Sequence, residues 1–289
     1  MNSQQKKIKI SSETQREEVT NAQRWACGLI DGDGHIGIEW SDAAKTKWVP
    51  VLKVSLHSYN ARALYKLKKA LGVGKITKSQ HTVTFRVRRR SHWQNILLPL
   101  WNRFPLRTCK HYHVVCIKSA FAISDDLTLE PAIKLQRLRE LSHHMRTDKT
   151  QISSVWPSAN VKDFDDGVLR TCLDYDWLAG FVEAEGSFYI LNNGQHGFAL
   201  GQALDQHIIE SFHKHFHIKA KLKRRLNYIM ADTKNKKTLD HICTALHKRL
   251  LGMKSFTFAV WRRSLHKKSR AKSLEARRIL QAIVSRKPS

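Results

Sequence analysis

Acidic residues are scarce in this chain: 24 Asp and Glu stand against 51 Lys and Arg over 289 residues, a formal charge of +27. Self-repulsion on that scale is relieved by a polyanion, and nucleic acid is the partner it points to. Long apolar runs are missing too. None approaches the roughly 18 residues of a spanning helix, and the basic residues fall on strand-like as well as helix-like segments, so no membrane partner is expected. Cysteine is sparse and odd in number. Cys27, Cys109, Cys116, Cys172 and Cys243 form no C-x-x-C pair, which argues against a disulfide framework or a zinc ribbon and suits a reducing compartment. Cys109, His111, His113 and Cys116 are four potential ligands on one helical segment, but one helix cannot aim all four at a single ion. The opening MNSQQKKIKISSETQREE lacks an apolar core and carries Glu13, Glu17 and Glu18, so it reads as neither a secretory signal nor a good transit peptide.

What is present is concentrated in WACGLIDGDGHIGIEW, residues 25–40. Its G-x-G-x-x-G is not a dinucleotide fingerprint, because that motif needs a strand before the glycines and a helix after, and here the order is reversed. Nor is it an EF-hand. With Asp31 and Asp33 as the third and fifth loop residues, Leu29 and Trp40 would fall where carboxylates are required. The stretch WLAGFVEAEGSFYI, residues 177–190, lies over the first without a gap: Gly28 matches Gly180, Asp31 matches Glu183, Asp33 matches Glu185 and Gly34 matches Gly186. The chain is a tandem duplication of helix, acid, x, acid, glycine, strand.

Thr20 or Asn21 is a suitable cap for the first helix, and Asp174 or Asp176 for the second. Asp33 and Glu185 then fall at helix C-termini, where the macrodipole disfavours an anion. Small residues at Cys27-Gly28 and Ala179-Gly180 allow the two helices to approach, which would gather Asp31, Asp33, Glu183 and Glu185. Crowded carboxylates share protons or bind divalent cations, and oxygen ligands select Mg²⁺, Mn²⁺ or Ca²⁺. The plainer role for Asp31 and Glu183 is capping or local hydrogen bonding.

The segments ACGLIDGDG and LAGFVEAEG resemble the two motifs of the LAGLIDADG homing endonucleases in their single-chain, two-repeat form. Ala26 and Cys27 stand where that family more often has Leu and Ala. The resemblance implies an α+β fold of two pseudo-symmetric αββαββα lobes, with antiparallel sheets forming a saddle. It implies metal binding by Asp33 and Glu185, with the carbonyls of Gly32 and Ala184 as further ligands. Lys110 and Lys254 match a family lysine near the reacting phosphate, and Gln202 matches a glutamine that orients solvent, with Ser58 at that step in the first lobe.

The expected elements follow each motif. HIGIEW, VLKVSLHS, GKITKS and HTVTFRVR alternate as strands, NARALYKLKKALG has helical spacing, and SHWQNILLPLWNRF is an amphipathic helix. One face of the strands is core: Leu52, Val54 and Leu56, then Val83, Phe85 and Val87. The other carries Lys53, Ser55 and His57, then Thr82, Thr84, Arg86 and Arg88, joined by Glu39, Lys75 and Thr77. In the second lobe Ser187, Tyr189 and Asn193 take that face, and in IKAKLKRR Lys219, Lys221 and Lys223 oppose Ile218, Ala220 and Leu222. Cations interleaved with hydroxyls and imidazoles suit a sheet lying in a major groove. The reading places an extension at residues 1–20, one lobe at 21–146, a surface linker at 147–173 and the second lobe at 174–289, with Thr128 and Ser273 capping two buttressing helices.

Together these imply a monomeric, Mg²⁺-dependent endonuclease that cuts both strands of a long asymmetric DNA target across the minor groove, leaving 3′ overhangs. By resemblance its home is a mitochondrion or chloroplast, and it is not secreted. The alternative is a maturase that binds group I intron RNA on the same scaffold, and a third reading is a regulator with a vestigial nuclease fold.

Overall fold

Residues 12–148, 150–158, 160–267 and 269–285 are described by a computed structural model. In the first lobe, α1 (Ser12–Asp33) leads into β1 (Gly34–Trp40), β2 (Trp48–His57), α2 (Ala61–Leu71), β3 (Lys75–Lys78) and β4 (Thr82–Val87). There follow α3 (Arg90–His92), a π-helical turn (Trp93–Leu97), α4 (Leu98–Arg103), α5 (Lys110–Asp125) and α6 (Pro131–Thr147). After α7 (Asp166–Cys172), the second lobe repeats the plan. It runs α8 (Tyr175–Glu185), β5 (Gly186–Ile190), β6 (His196–Gln202), α9 (Gln206–His215), β7 (Lys223–Arg225), β8 (Tyr228–Thr233), α10 (Lys236–Leu246), α11 (Lys254–Leu265) and α12 (Arg270–Ser285).

Each lobe carries one four-stranded antiparallel sheet, ordered β1-β2-β4-β3 and β5-β6-β8-β7. The alternation works as read except at Leu56, which is only half-buried: Leu52, Val54, Val83, Phe85 and Val87 are buried, while Ser55 and Thr82 on the opposite face are exposed. Helices cover the apolar face of each sheet, and the other face stays open. The two lobes join where α1 packs along α8, burying Trp25, Leu29, Trp177 and Phe181.

Several expectations are corrected by the structure. Helix α1 starts well before Thr20 and Asn21, which lie inside it. The preceding residues, including Glu13, Gln15, Arg16, Glu17 and Glu18, are strong helix formers, so the helix continues past its buried portion into the expected extension. The part of that extension before Ser12 lies outside the described residues. Asp174 does cap α8, accepting from the Trp177 amide at 3.0 Å. The predicted helix over 91–104 is interrupted by the π turn. Pro99 has no N–H and its ring crowds the carbonyl four residues back, and widening the preceding turn relieves that clash. Thr128 binds Asp126 rather than capping α6, whose first residue is Pro131. Ser269, not Ser273, receives the amide of Lys272 at the start of α12.

The linker is no simple surface strap. Trp156, Val161 and Phe164 are buried, because their apolar area is too large to leave in water. The Trp156 indole donates to the Arg107 carbonyl of the first lobe at 2.8 Å and packs edge-on against His207 of the second. Lys219 and Lys221 are exposed but lie off the sheet. His217 turns into the left-handed region (φ 48°), the Ile218 amide binds the His213 carbonyl, and the His213 ring binds the Ala220 carbonyl. That segment follows α9, and only Lys223 reaches the ladder with β8.

Candidate active site at the paired helix tips

The site begins with two glycines. A Cβ on Gly28 would stand 1.9 Å from the Trp177 carbonyl oxygen, and one on Gly180 would stand 1.9 Å from that of Trp25. The helices therefore touch backbone to backbone. Contact persists to their ends, where a Cβ on Gly32 would meet that of Ala184 at 2.2 Å. Asp33 and Glu185 are the last residues of α1 and α8, so this approach sets both carboxylates at one spot between the open faces of the two sheets.

Two lysines resolve the puzzle of acids at the negative ends of helices. Lys110 Nζ donates to the Gly32 carbonyl at 2.7 Å and to that of Asp31. Lys254 Nζ donates to the carbonyls of Val182 and Ala184, each at 2.9 Å. Each cation binds carbonyls at a helix C-terminus and offsets the dipole there. Burial pushes the Lys110 ammonium below its usual range, against the pull of Asp31.

The first acid of each motif acts on a backbone far along the chain. Asp31 is fully buried and accepts from the amides of Arg107 at 2.8 Å and Thr108 at 3.1 Å, and from the Trp177 indole of the other lobe at 2.7 Å. Glu183 accepts from the amides of Gly252 at 3.2 Å and Lys254 at 2.9 Å. Both hold the backbone that leads into the helix carrying the lysine. The plainer expectation of capping or local hydrogen bonding is corrected, because these partners lie far along the chain.

The expected cluster of four carboxylates is thereby corrected to a pair. Among the described residues, no group of three or more His, Cys, Asp and Glu gathers in a metal-holding arrangement. Asp33 and Glu185 are what remain at the tips. Burial pushes the Asp33 carboxyl up, with Lys254 and then Lys110 pulling it down. Burial also raises Glu185, followed by repulsion from Asp33, while Lys110 opposes ahead of Lys254. Among the described residues no hydrogen bond to protein occupies either carboxylate. Two such oxygen ligands, both raised by desolvation and Glu185 also by Asp33, fit a hard divalent cation. The Gly32 and Ala184 carbonyls already serve the lysines, so each has only its second lone pair for a metal.

Strand register revises the glutamine assignment. Gly34 faces Val54 as Gly186 faces Leu200, so two residues on, Gln202 corresponds to Leu56 and not to Ser58. The two halves of the cleft differ here, one polar and one apolar. Leu56 shares its half with Asp33, Ser55, Asn60 and Lys254.

The open faces differ as well. In the first lobe Lys53, Arg86 and Lys75 stand side by side across three strands, and His35, missed in the sequence reading, extends the row. Such a row is self-repulsive without an anion. Beside it Ser55 and Thr84 share a hydroxyl contact of 2.9 Å, Thr77 pairs with Thr84, and His57 with Thr82. Glu39 pairs with Arg88 at 3.3 Å. In the second lobe the central strand offers Gly197, Ala199 and Gly201, and tyrosines lie across the glycines: Tyr189 over Gly197 and Tyr228 over Gly201. Tyr189 donates to Asp232, which also takes Lys223 at 2.6 Å. Ser187 is exposed on this face, whereas Asn193 lies in the β5–β6 turn and accepts the Gln195 amide. Tyr228 and Asp232 carried no signal beyond strand alternation.

Residues 26–121 match a family model described as LAGLIDADG endonuclease. The chain is 32% identical to the probable intron-encoded endonuclease Cox1-I1b of Schizosaccharomyces pombe, over 84% of this chain and 64% of that protein. It thus spans less than two thirds of this relative's length. Its fold is similar to that of I-SmaMI bound to an uncleaved DNA target in the presence of calcium ions, with TM-score 0.67, 20% identity and coverage of 90% and 97% of the two chains. The homing endonuclease I-GzeII in complex with its DNA target is similar at TM-score 0.69 and 18% identity, over 90% and 96%.

Proposed function

Because the chain belongs to the LAGLIDADG endonuclease family, we propose that it is a site-specific double-strand DNA endonuclease acting as a pseudo-symmetric monomer. The observation that carries this reading is the pair of carboxylates, Asp33 and Glu185, at touching helix tips, with a lysine behind each and a sheet on either side. Each open face reads one half of a long asymmetric target through the major groove, and the tips meet the minor groove between the scissile phosphates. Asp33 and Glu185 would hold Mg²⁺, for which Mn²⁺ or Ca²⁺ would substitute, with the carbonyls of Gly32 and Ala184 as further donors. Such a cation, when bound, neutralises the phosphate and acidifies water beside it.

The protein's own contributions are positional and electrostatic. Lys110 and Lys254 stabilise charge developing on the phosphates. Gln202 orients water in its half of the cleft, while Leu56 leaves the other half drier. Lys53, Lys75, Arg86, Arg88 and Lys223 bind backbone phosphates, and Ser55, His57, Thr77, Thr82, Thr84, Ser187 and Tyr189 face base edges. Cutting across the minor groove leaves short 3′ overhangs. Intron RNA is the weaker reading, since an RNA binder has no need of two carboxylates that accept no hydrogen bond among the described residues. The relative's description as intron-encoded supports an origin in an organelle intron. Among the described residues, no helix is long and apolar enough to cross a membrane.

The test uses a target selected from randomised duplexes and carried on a supercoiled plasmid. Linear product is expected with Mg²⁺ and none after chelation by EDTA. Selection that enriches no duplex, or cutting indifferent to EDTA, contradicts the reading.

A further inference from the structure

Asn60 and Asp205 occupy the positions that cap α2 and α9, and both are residue types that favour capping. Neither side chain caps its own helix. Both are buried, at 6% and 5% exposure, and both reach into the opposite lobe. Asp205 accepts from the Cys109 amide at 2.7 Å, and Asn60 accepts from the Met253 amide at 3.1 Å. Those amides immediately precede Lys110 and Lys254.

The arrangement divides the start of each lysine helix between the lobes. At residues 107–109, Asp31 takes the first two amides and Asp205 of the other lobe takes the third. At 252–254, Glu183 takes the outer two and Asn60 takes the middle one. The Asn60 side is packed further, since Arg62 Nε donates to the Leu251 carbonyl at 3.0 Å and a Cβ on Gly252 would stand 2.9 Å from that of Ala63.

We propose that Asn60 and Asp205 are positioning residues, each setting the lysine of the opposite lobe through the backbone at its helix start. Each ammonium is then placed by both lobes, although it donates to carbonyls of its own motif helix. The strand-cutting consequence rests on the endonuclease reading. Asn60 and Lys254 line the same half of the cleft as Asp33, whereas Asp205 acts beside Lys110 at the other motif helix, so each clamp serves a different half of the cleft.

Supercoiled plasmid bearing the selected target is incubated with Asp205→Ala or Asn60→Ala, and the nicked strand is identified by primer extension. Each variant should slow one strand by roughly tenfold or more, since small misplacement of a catalytic group is costly, and the two should leave opposite strands uncut. Asp205→Asn keeps an acceptor oxygen and should restore cutting of the affected strand. Amide hydrogen exchange provides a readout independent of activity: Asp205→Ala should expose the Cys109 amide and Asn60→Ala that of Met253. Should an alanine variant fail to fold, Asp205→Ser and Asn60→Ser, whose hydroxyls are too short to span the same gap, carry the comparison. Equal slowing of both strands, no rescue by Asp205→Asn, or unchanged exchange at these amides overturns the proposal. If the wild-type protein cuts no duplex, the endonuclease reading fails while exchange still decides the clamp.

Discussion

Gly180→Ala should dismantle the junction between the lobes. The added carbon would lie 1.9 Å from the Trp25 carbonyl oxygen and 2.8 Å from the Leu29 nitrogen. These are backbone atoms inside a helix, so no side-chain rotation relieves the overlap. The helices must separate, and separation loosens Trp25, Leu29, Trp177 and Phe181, all fully buried along the seam. Overpacking costs about 1–3 kcal/mol where side chains can yield, and here only backbone can. A loss of about 3 kcal/mol or more is expected, or roughly 6–12 °C in melting temperature for a chain of this size. Gly28→Ala should match it, because its overlap with the Trp177 carbonyl is the same 1.9 Å. Thermal unfolding followed by circular dichroism checks both. A variant melting within a degree or two of wild type contradicts the described contact.

Asp33→Asn and Glu185→Gln should each reduce double-strand cutting by about 10²-fold or more, as expected when a charge-stabilising ligand is removed from a phosphoryl-transfer site. The substitutions keep size and shape but remove the negative charge. They also carry an opposite effect on stability. Burial raises both carboxyls, so in metal-free protein the folded state keeps their protons to higher pH than the unfolded chain. The resulting destabilisation is absent below the unfolded value of about 4 and complete above the raised folded value. At neutral pH without divalent ions, Asp33→Asn should therefore melt above wild type while cutting poorly. Initial rates of plasmid linearisation, paired with melting curves in EDTA, measure both halves of the prediction. A variant that cuts at the wild-type rate removes its residue from the proposed chemistry.

What could be read from the chain was whatever repeats or alternates locally. The duplicated motif located Asp33 and Glu185, and strand alternation in VLKVSLH and HTVTFRVR separated core from open face. The same reasoning went wrong where a partner lay far along the chain. Asn60 and Asp205 look like ordinary caps for the helices they precede, and nothing nearby reveals that they bind backbone amides of the other lobe. Asp31 was expected to bond locally, and its partners at 107, 108 and 177 come from tertiary folding. Resemblance offers Ser58 at the step of Gln202, whereas ladder register matches Gln202 to Leu56. Lys219 and Lys221 alternate like strand residues, but the turn after α9 holds their segment to that helix. Trp156 sat in a stretch rich in Ser and Asp, and its own bulk argued for burial.

We propose that Asp33 and Glu185 jointly hold divalent cations against DNA, and locating the metal decides the matter. Crystals of the protein with its selected duplex, grown with Mn²⁺ and measured at the manganese absorption edge, should place anomalous peaks on the oxygens of both carboxylates, next to the central phosphates. Manganese bound elsewhere, or a duplex lying away from the tips of α1 and α8, would contradict the account.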